Sequence, residues 1–128
     1  MKRIAIQLKI SFIAAFMLAA GSIDAQTQTY TANGTFTVPA GVTSVQVEAW
    51  GGGGAGGGVD GVNWQNRAGG GGGGGAYVKN TSVVVTPGSA ISVTVGAGGL
   101  GVSAADGGNG GNSSFGGSVT ANGGKGGK

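Results

Sequence analysis

Apolar and polar residues alternate with a period of two in several stretches of the chain. Phe36 and Val38 fall on one face, with Thr35 and Thr37 on the other. Val45, Val47 and Ala49 alternate with Gln46, Glu48 and Trp50, and Ile91, Val93 and Val95 alternate with Ser92 and Thr94. A period of two is that of a β-strand with one face on a core. Val83-Val84-Val85 has no alternation and reads as a strand covered on both faces. Beyond residue 25 the larger aliphatic residues are 14 Val, Ile91 and Leu100. Their β-branched stems suit a pleated surface and disfavour a helix, and no stretch there has a helical period.

Turn residues punctuate these stretches. Asn33-Gly34 predicts a tight hairpin, since both residues tolerate positive φ. Pro39-Ala40-Gly41 fits a turn with proline second, and Thr86-Pro87-Gly88 a type II turn. Strands are therefore expected near 27–32, 35–38, 43–50, 76–86 and 90–96, with a sixth, short one within 113–121. The expected fold is all-β, a small antiparallel sandwich with glycine-rich loops.

The first 25 residues follow a different pattern. Lys2, Arg3 and Lys9 precede an apolar stretch from Ile10 to about Ile23, and Ile23-Asp24-Ala25 before Gln26 resembles a peptidase site. That is the three-part pattern of a secretory leader, cleaved near Ala25/Gln26. The apolar stretch is shorter than the roughly 20 residues of a membrane span. The reading is an exported 26–128 domain, extracellular or at the cell surface of a Gram-negative-type bacterium, with no membrane span after leader removal. The chain has no cysteine, which excludes a lipid-anchored leader.

Composition now changes the picture. Without cysteine or histidine there is no disulfide framework, thiol chemistry, zinc finger or histidine catalysis. The formal charge of +3 belongs largely to the leader. In 26–128, Arg67, Lys79, Lys125 and Lys128 stand against Glu48, Asp60 and Asp106, a net +1 that gives nucleic-acid binding no electrostatic support. Of the 33 glycines all but Gly21 lie past the leader, in runs at 51–54, 56–58 and 69–75 and in looser clusters from 96 to 127. Large apolar side chains are too few for a side-chain core to order all of this. Either the runs are flexible tethers, or bare backbones form extended threefold helices, like polyproline II, that hydrogen-bond one another. The runs abut strand ends at Trp50 and Ala76 and lack the serine and charge of ordinary linkers, which favours the packed helices.

One series of short motifs carries a resemblance. Gly34-Thr35-Phe36-Thr37-Val38-Pro39-Ala40-Gly41-Val42-Thr43-Ser44-Val45 is followed by a glycine run and Gly75-Ala76-Tyr77. Then come Val85-Thr86-Pro87-Gly88, Val93-Thr94-Val95-Gly96-Ala97-Gly98-Gly99 and Gly110-Gly111-Asn112-Ser113-Ser114-Phe115-Gly116. Over about 30–127 the chain resembles the glycine-rich domain family of exported bacterial and phage tail-fibre proteins. Related architecture occurs in phage tail-tip adhesins and in anaplastic-lymphoma-kinase-type receptor ectodomains. The resemblance implies a β-sandwich carrying packed polyglycine helices, with variable loops presenting a binding surface, and it brings no catalytic residues. Family chains often continue into further repeats or an anchoring region, so the end at Gly126-Gly127-Lys128 is read as a truncation of the domain.

Candidate chemistry is sparse. A phosphate loop needs Ser or Thr after its lysine, and Lys125 precedes Gly126. Gly107-Gly108-Asn109-Gly110-Gly111-Asn112 has the outline of a calcium repeat but lacks its Asp and any tandem copy, and reads as a turn. Glu48, Asp60 and Asp106 are too far apart in sequence to suggest an acid–base pair. No metal, cofactor or catalytic residue is expected, and the chain reads as a non-enzyme. The best ligand-binding candidates are Asn63, Trp64, Gln65, Asn66 and Arg67, in the segment that separates two glycine runs. Trp64 offers a flat face for stacking and its neighbours directional hydrogen bonds, a combination suited to a glycan or a protein surface. Alternatively Trp64 folds back onto the sandwich. Trp50, outward by alternation, could cover the glycine bundle. The function expected is adhesion or ligand binding; the alternative is a structural spacer or matrix component, with self-association. An ice-binding face would need regular threonine arrays, which are not seen.

Overall fold

The computed structural model describes residues 4–7, 26–59 and 68–128. It contains eight strands and, among the described residues, no helix: β1 (Ile4–Gln7), β2 (Thr27–Tyr30), β3 (Gly34–Thr37), β4 (Ser44–Trp50), β5 (Tyr77–Val84), β6 (Ala90–Thr94), β7 (Ser113–Phe115) and β8 (Val119–Ala121). They form two four-stranded antiparallel sheets, ordered β2-β1-β4-β5 and β3-β6-β7-β8. β4 packs against β7 and β8, which joins the sheets face to face. The core between them holds Phe36, Val38, Val45, Val47, Ala49, Val83, Val93, Phe115 and Val119, with the Phe36 and Phe115 rings tilted at 55° and 5.7 Å apart. The alternation in β3, β4 and β6 thus points the expected residues inward.

Four local expectations are corrected. Val84 is 83% exposed while Val83 and Val85 are buried, so this run is covered on one face only. Its strand, β5, is an edge and has one face to solvent. Asn33-Gly34 is not a hairpin turn: β2 pairs with β1 in one sheet and β3 with β6 in the other. Phe36 is buried in the core against the Phe115 ring, and Asn33 Oδ1 accepts the Val95 N–H at 2.8 Å across the crossing. The segment 113–121 is two strands, not one, folded back at Gly116 with φ +53°. The residues 107–112 do not form a turn but an extended segment of the glycine bundle. The two proline turns are as expected, with Gly41 and Gly88 at φ +81° and +77°. Ile4–Gln7, within the segment read as a leader, is the strand between β2 and β4.

The glycine runs form one ordered hydrogen-bonded bundle. The segment 51–58 lies at its centre. Its N–H groups donate in a repeat of three: Gly51, Gly54 and Gly57 to the carbonyls of Ala76, Gly73 and Gly70, at 2.8, 2.8 and 2.9 Å. Gly52, Ala55 and Gly58 donate to Gly111, Gly108 and Ala105, at 2.9, 3.0 and 2.8 Å. The outer segments also bond to one another, as Ala76, Gly73 and Gly70 do to Asn122, Lys125 and Lys128. A repeat of three is the signature of extended threefold helices, and backbone partners replace the side-chain core that the composition lacks. Glycine is required where helices touch: a Cβ on Gly72 would fall on the Gly54 carbonyl. Where the bundle faces out, side chains return at the same spacing, as Asp106, Asn109 and Asn112, and as Asn122, Lys125 and Lys128. Asn109 and Asn112 tie their row to the next by accepting the N–H of Gly126 and Gly123, both at 2.9 Å.

Candidate functional site

Two features of the described surface carry functional chemistry. The first is the stem of the segment 60–67. The ladder between 51–58 and 69–76 runs up to Gly57 and Gly70, and Gly58 is tied to Ala105. Val59 and Ala68, the described residues on either side of 60–67, therefore adjoin two backbones that are hydrogen-bonded to each other. Gly58 packs against the carbonyl of Val102, so Val59 and Val102 lie at the same end of the bundle. Val59 is 45% and Val102 50% exposed, and Leu100, two residues along, is 79% exposed. This end carries an apolar rim. The sequence candidates Asn63, Trp64, Gln65, Asn66 and Arg67 lie outside the described residues, as does Asp60.

The second feature is the outer face of β4 and β5. Alternation turns Gln46, Glu48 and Trp50 away from the core, and the register sets Lys79 opposite Glu48 and Tyr77 opposite Trp50. Lys79 Nζ lies 3.0 Å from Glu48 Oε1, and Gln46 Nε2 donates to the same oxygen at 3.2 Å. The Lys79 hydrogen bond, ahead of one from the Tyr77 hydroxyl, holds the Glu48 carboxyl below its ordinary range. The pairing raises Lys79 in turn. Tyr77 is raised first by desolvation and then by its bond to Glu48. The Trp50 and Tyr77 rings are 5.0 Å apart at 39°. Alternation had placed Trp50 outward; its ring contact is with Tyr77. The sequence did not show that Glu48 has partners, because Lys79 is 31 residues away and only the strand register joins them. The cluster can pin the two strands and present a half-exposed aromatic surface, but its carboxylate is already occupied by three donors.

A cleft of about 460 Å³ is lined by Gln26, Thr27, Gln28, Phe36, Thr37 and Pro39. These residues include no acid, base or charged group. Among the described residues no three acidic side chains gather as a metal site, and no helix is long and apolar enough to cross a membrane.

The glycine-rich domain family matches residues 27–128, nearly the whole of the chain past the leader-like segment. The chain belongs to that family. No curated protein and no solved structure matches it.

Proposed function

We propose that this member of the glycine-rich domain family is an exported, non-enzymatic module for adhesion or ligand binding, its ligand a glycan or a protein surface. The observation that carries the reading is the stem: the two glycine helices that flank, in sequence, an amide-rich segment with Trp64 and Arg67 are hydrogen-bonded to each other. A rigid support lowers the entropy lost when a loop binds, and binding residues are commonly held this way. Val59, Leu100 and Val102 add exposed apolar surface at the same end. The leader pattern of Lys2, Arg3, Lys9 and the following apolar stretch supports export. The resemblance to tail-fibre proteins, tail-tip adhesins and receptor ectodomains is in keeping with a surface role. The glycine bundle also supports a second reading, a rigid spacer or matrix element with no specific ligand, since it is stiff without needing one.

Glycan-array and whole-cell binding by the secreted protein tests the choice. Adhesion predicts retention that Trp64→Ala and Arg67→Ala each weaken by an order of magnitude, with thermal stability unchanged. Binding that ignores both substitutions, or none at all, would leave the spacer reading in its place.

A further inference from the structure

The leader-like segment supplies the strand that separates β2 from β4. Ile4, Ala5, Ile6 and Gln7 pair antiparallel with Tyr30, Thr29, Gln28 and Thr27 on one side. Ala5, Ile6 and Gln7 pair antiparallel with Glu48, Val47 and Gln46 on the other. Removal of the leader, in the export reading on which this step rests, leaves a slot one strand wide, and bared strand edges are templates for pairing. Both walls of the slot have supports of their own. β4 is paired with β5 along its other edge. β2 is anchored at one end by Tyr30, which packs against the core and whose hydroxyl donates to the Thr35 carbonyl at 3.1 Å. At its other end, Thr27 and Gln28 border the cleft of about 460 Å³ shared with Thr37 and Pro39, which leaves them room to move over an occupant.

We infer that the vacated slot is a binding site for an extended segment of a partner protein, which joins the sheet as a strand. The leader shows what fits, since it is the occupant in the unprocessed chain: a strand of four residues, antiparallel to both walls. Facing residues of paired strands share a side of the sheet, and Val47 is fully buried on the core side. The partner residue opposite Val47 is therefore apolar. Those opposite Gln46 and Glu48 fall on the other side, beside an amide and a carboxylate, and are polar or small. Main-chain bonds supply affinity in such an addition, and alternate side chains supply specificity.

Two observations narrow the occupant further. β7 and β8 of the second sheet pack against β4, so beneath the slot there is room for one layer only. The occupant is a free end or tail, not the edge of another sandwich. The exposed edge, β5, does not compete for it. There Thr81 and Ser82 bulge opposite the single Gln46, braced by Asn80 Oδ1 accepting the Ser82 N–H at 3.1 Å. Bulges and charges such as Lys79 blunt an edge.

The probe is a peptide of residues 2–9, which carries the β1 sequence. The processed chain 26–128 holds every residue of the hydrophobic core and should bind the peptide one to one, with amide shifts by NMR in 27–30 and 46–48. The 1–128 chain, its slot filled, should not bind. Ile6→Pro in the peptide removes a main-chain donor and should abolish binding. Ile6→Asp, opposite Val47, should weaken it by about tenfold or more. A peptide with valine in place of Ile4 and Ile6 and threonine in place of Ala5 and Gln7 should bind within about tenfold of the first, because the slot reads the pattern. The same residues reordered without alternation should not bind. If 26–128 is unfolded alone, folding on addition of the peptide supports the slot, and failure to fold with it overturns the proposal. No binding up to about 1 mM overturns it, as do equal binding of the proline peptide and a self-associated 26–128 that excludes the peptide. The intact mass of the exported protein separates this from the export reading. Retention of residues 1–25 overturns both for the exported form, whereas a processed chain that ignores the peptides overturns the slot alone.

Discussion

Adjacent glycines in one helix of the bundle should respond to alanine with opposite sign. A Cβ at Gly71 meets nothing within 4 Å, whereas one at Gly72 meets the Gly54 carbonyl and lies 2.7 Å from the carbonyl carbon of Ala55. Neither residue has a positive φ, so backbone conformation does not distinguish them. Gly71→Ala therefore changes mainly the unfolded chain and should stabilise by about 0.4–1 kcal/mol. Gly72→Ala must push 69–76 away from 51–58 by about 1 Å to reach an ordinary contact distance. That motion strains the bonds on either side, Gly54 N–H to Gly73 at 2.8 Å and Gly57 N–H to Gly70 at 2.9 Å. Each carries about 0.5–1.5 kcal/mol net, and overpacking adds about 1–3 kcal/mol. Less the unfolded-chain gain, the loss is about 1–5 kcal/mol, and a central loss of about 3 kcal/mol corresponds to roughly 12–24 °C in Tm for a domain of this size. Urea and thermal unfolding of the two variants beside the parent measure it. Equal effects, or a difference below about 1 kcal/mol, would refute a bundle held by close backbone contact.

Amide exchange should show the repeat of three directly. The N–H groups of Gly51, Gly52, Gly54, Ala55, Gly57 and Gly58 should be protected. Those of Gly53 and Gly56, which donate to no backbone acceptor among the described residues, should exchange fast. Uniform fast exchange by NMR over 51–58 would contradict it. Ser113 is fully buried and its Oγ accepts the Gly96 N–H at 2.9 Å, so Ser113→Ala should cost about 1–3 kcal/mol in a denaturant titration. Glu48, its pKa depressed below 4.5, contributes stability that is complete above the unfolded value and lost as pH falls through the folded one. Tm should therefore fall more between about pH 5 and pH 3 in the parent than in Lys79→Met, and equal falls would deny the pair that role.

The strands were legible because valine spacing is a side-chain pattern, and burial of Phe36, Val45, Val47, Ala49 and Val93 follows from it, although Gln46, on the opposite face of β4, is buried as well. Polyglycine offers no such pattern, so which helix neighbours which is settled only in space. A fainter signal was nonetheless present: non-glycine residues recur every third position at Asp106, Asn109 and Asn112, and again at Asn122, Lys125 and Lys128. That spacing marks the outward row of a threefold helix. Asn33-Gly34 misled because its dihedral tolerance fits a hairpin and a crossing between sheets equally well, and only the pairing of β3 with β6 decides. Of the candidate site, the hydrogen-bonded stem could be anticipated from glycine runs that flank a polar segment. The apolar rim could not, since Val59 and Val102 are brought together by the bundle alone.

A bundle secured by peptide groups has a thermal consequence. Unfolding a valine core exposes apolar surface and raises heat capacity, which bends the stability curve; exposing peptide groups lowers it, by about 0.26 cal/K/mol per Å² against a rise of about 0.45 for apolar surface. The two halves of this domain therefore oppose one another. The sandwich contributes curvature and the glycine helices subtract it, so the whole should hold its fold over a broader span of temperature, toward the cold as well as the hot, than an all-valine domain of equal stability at its optimum.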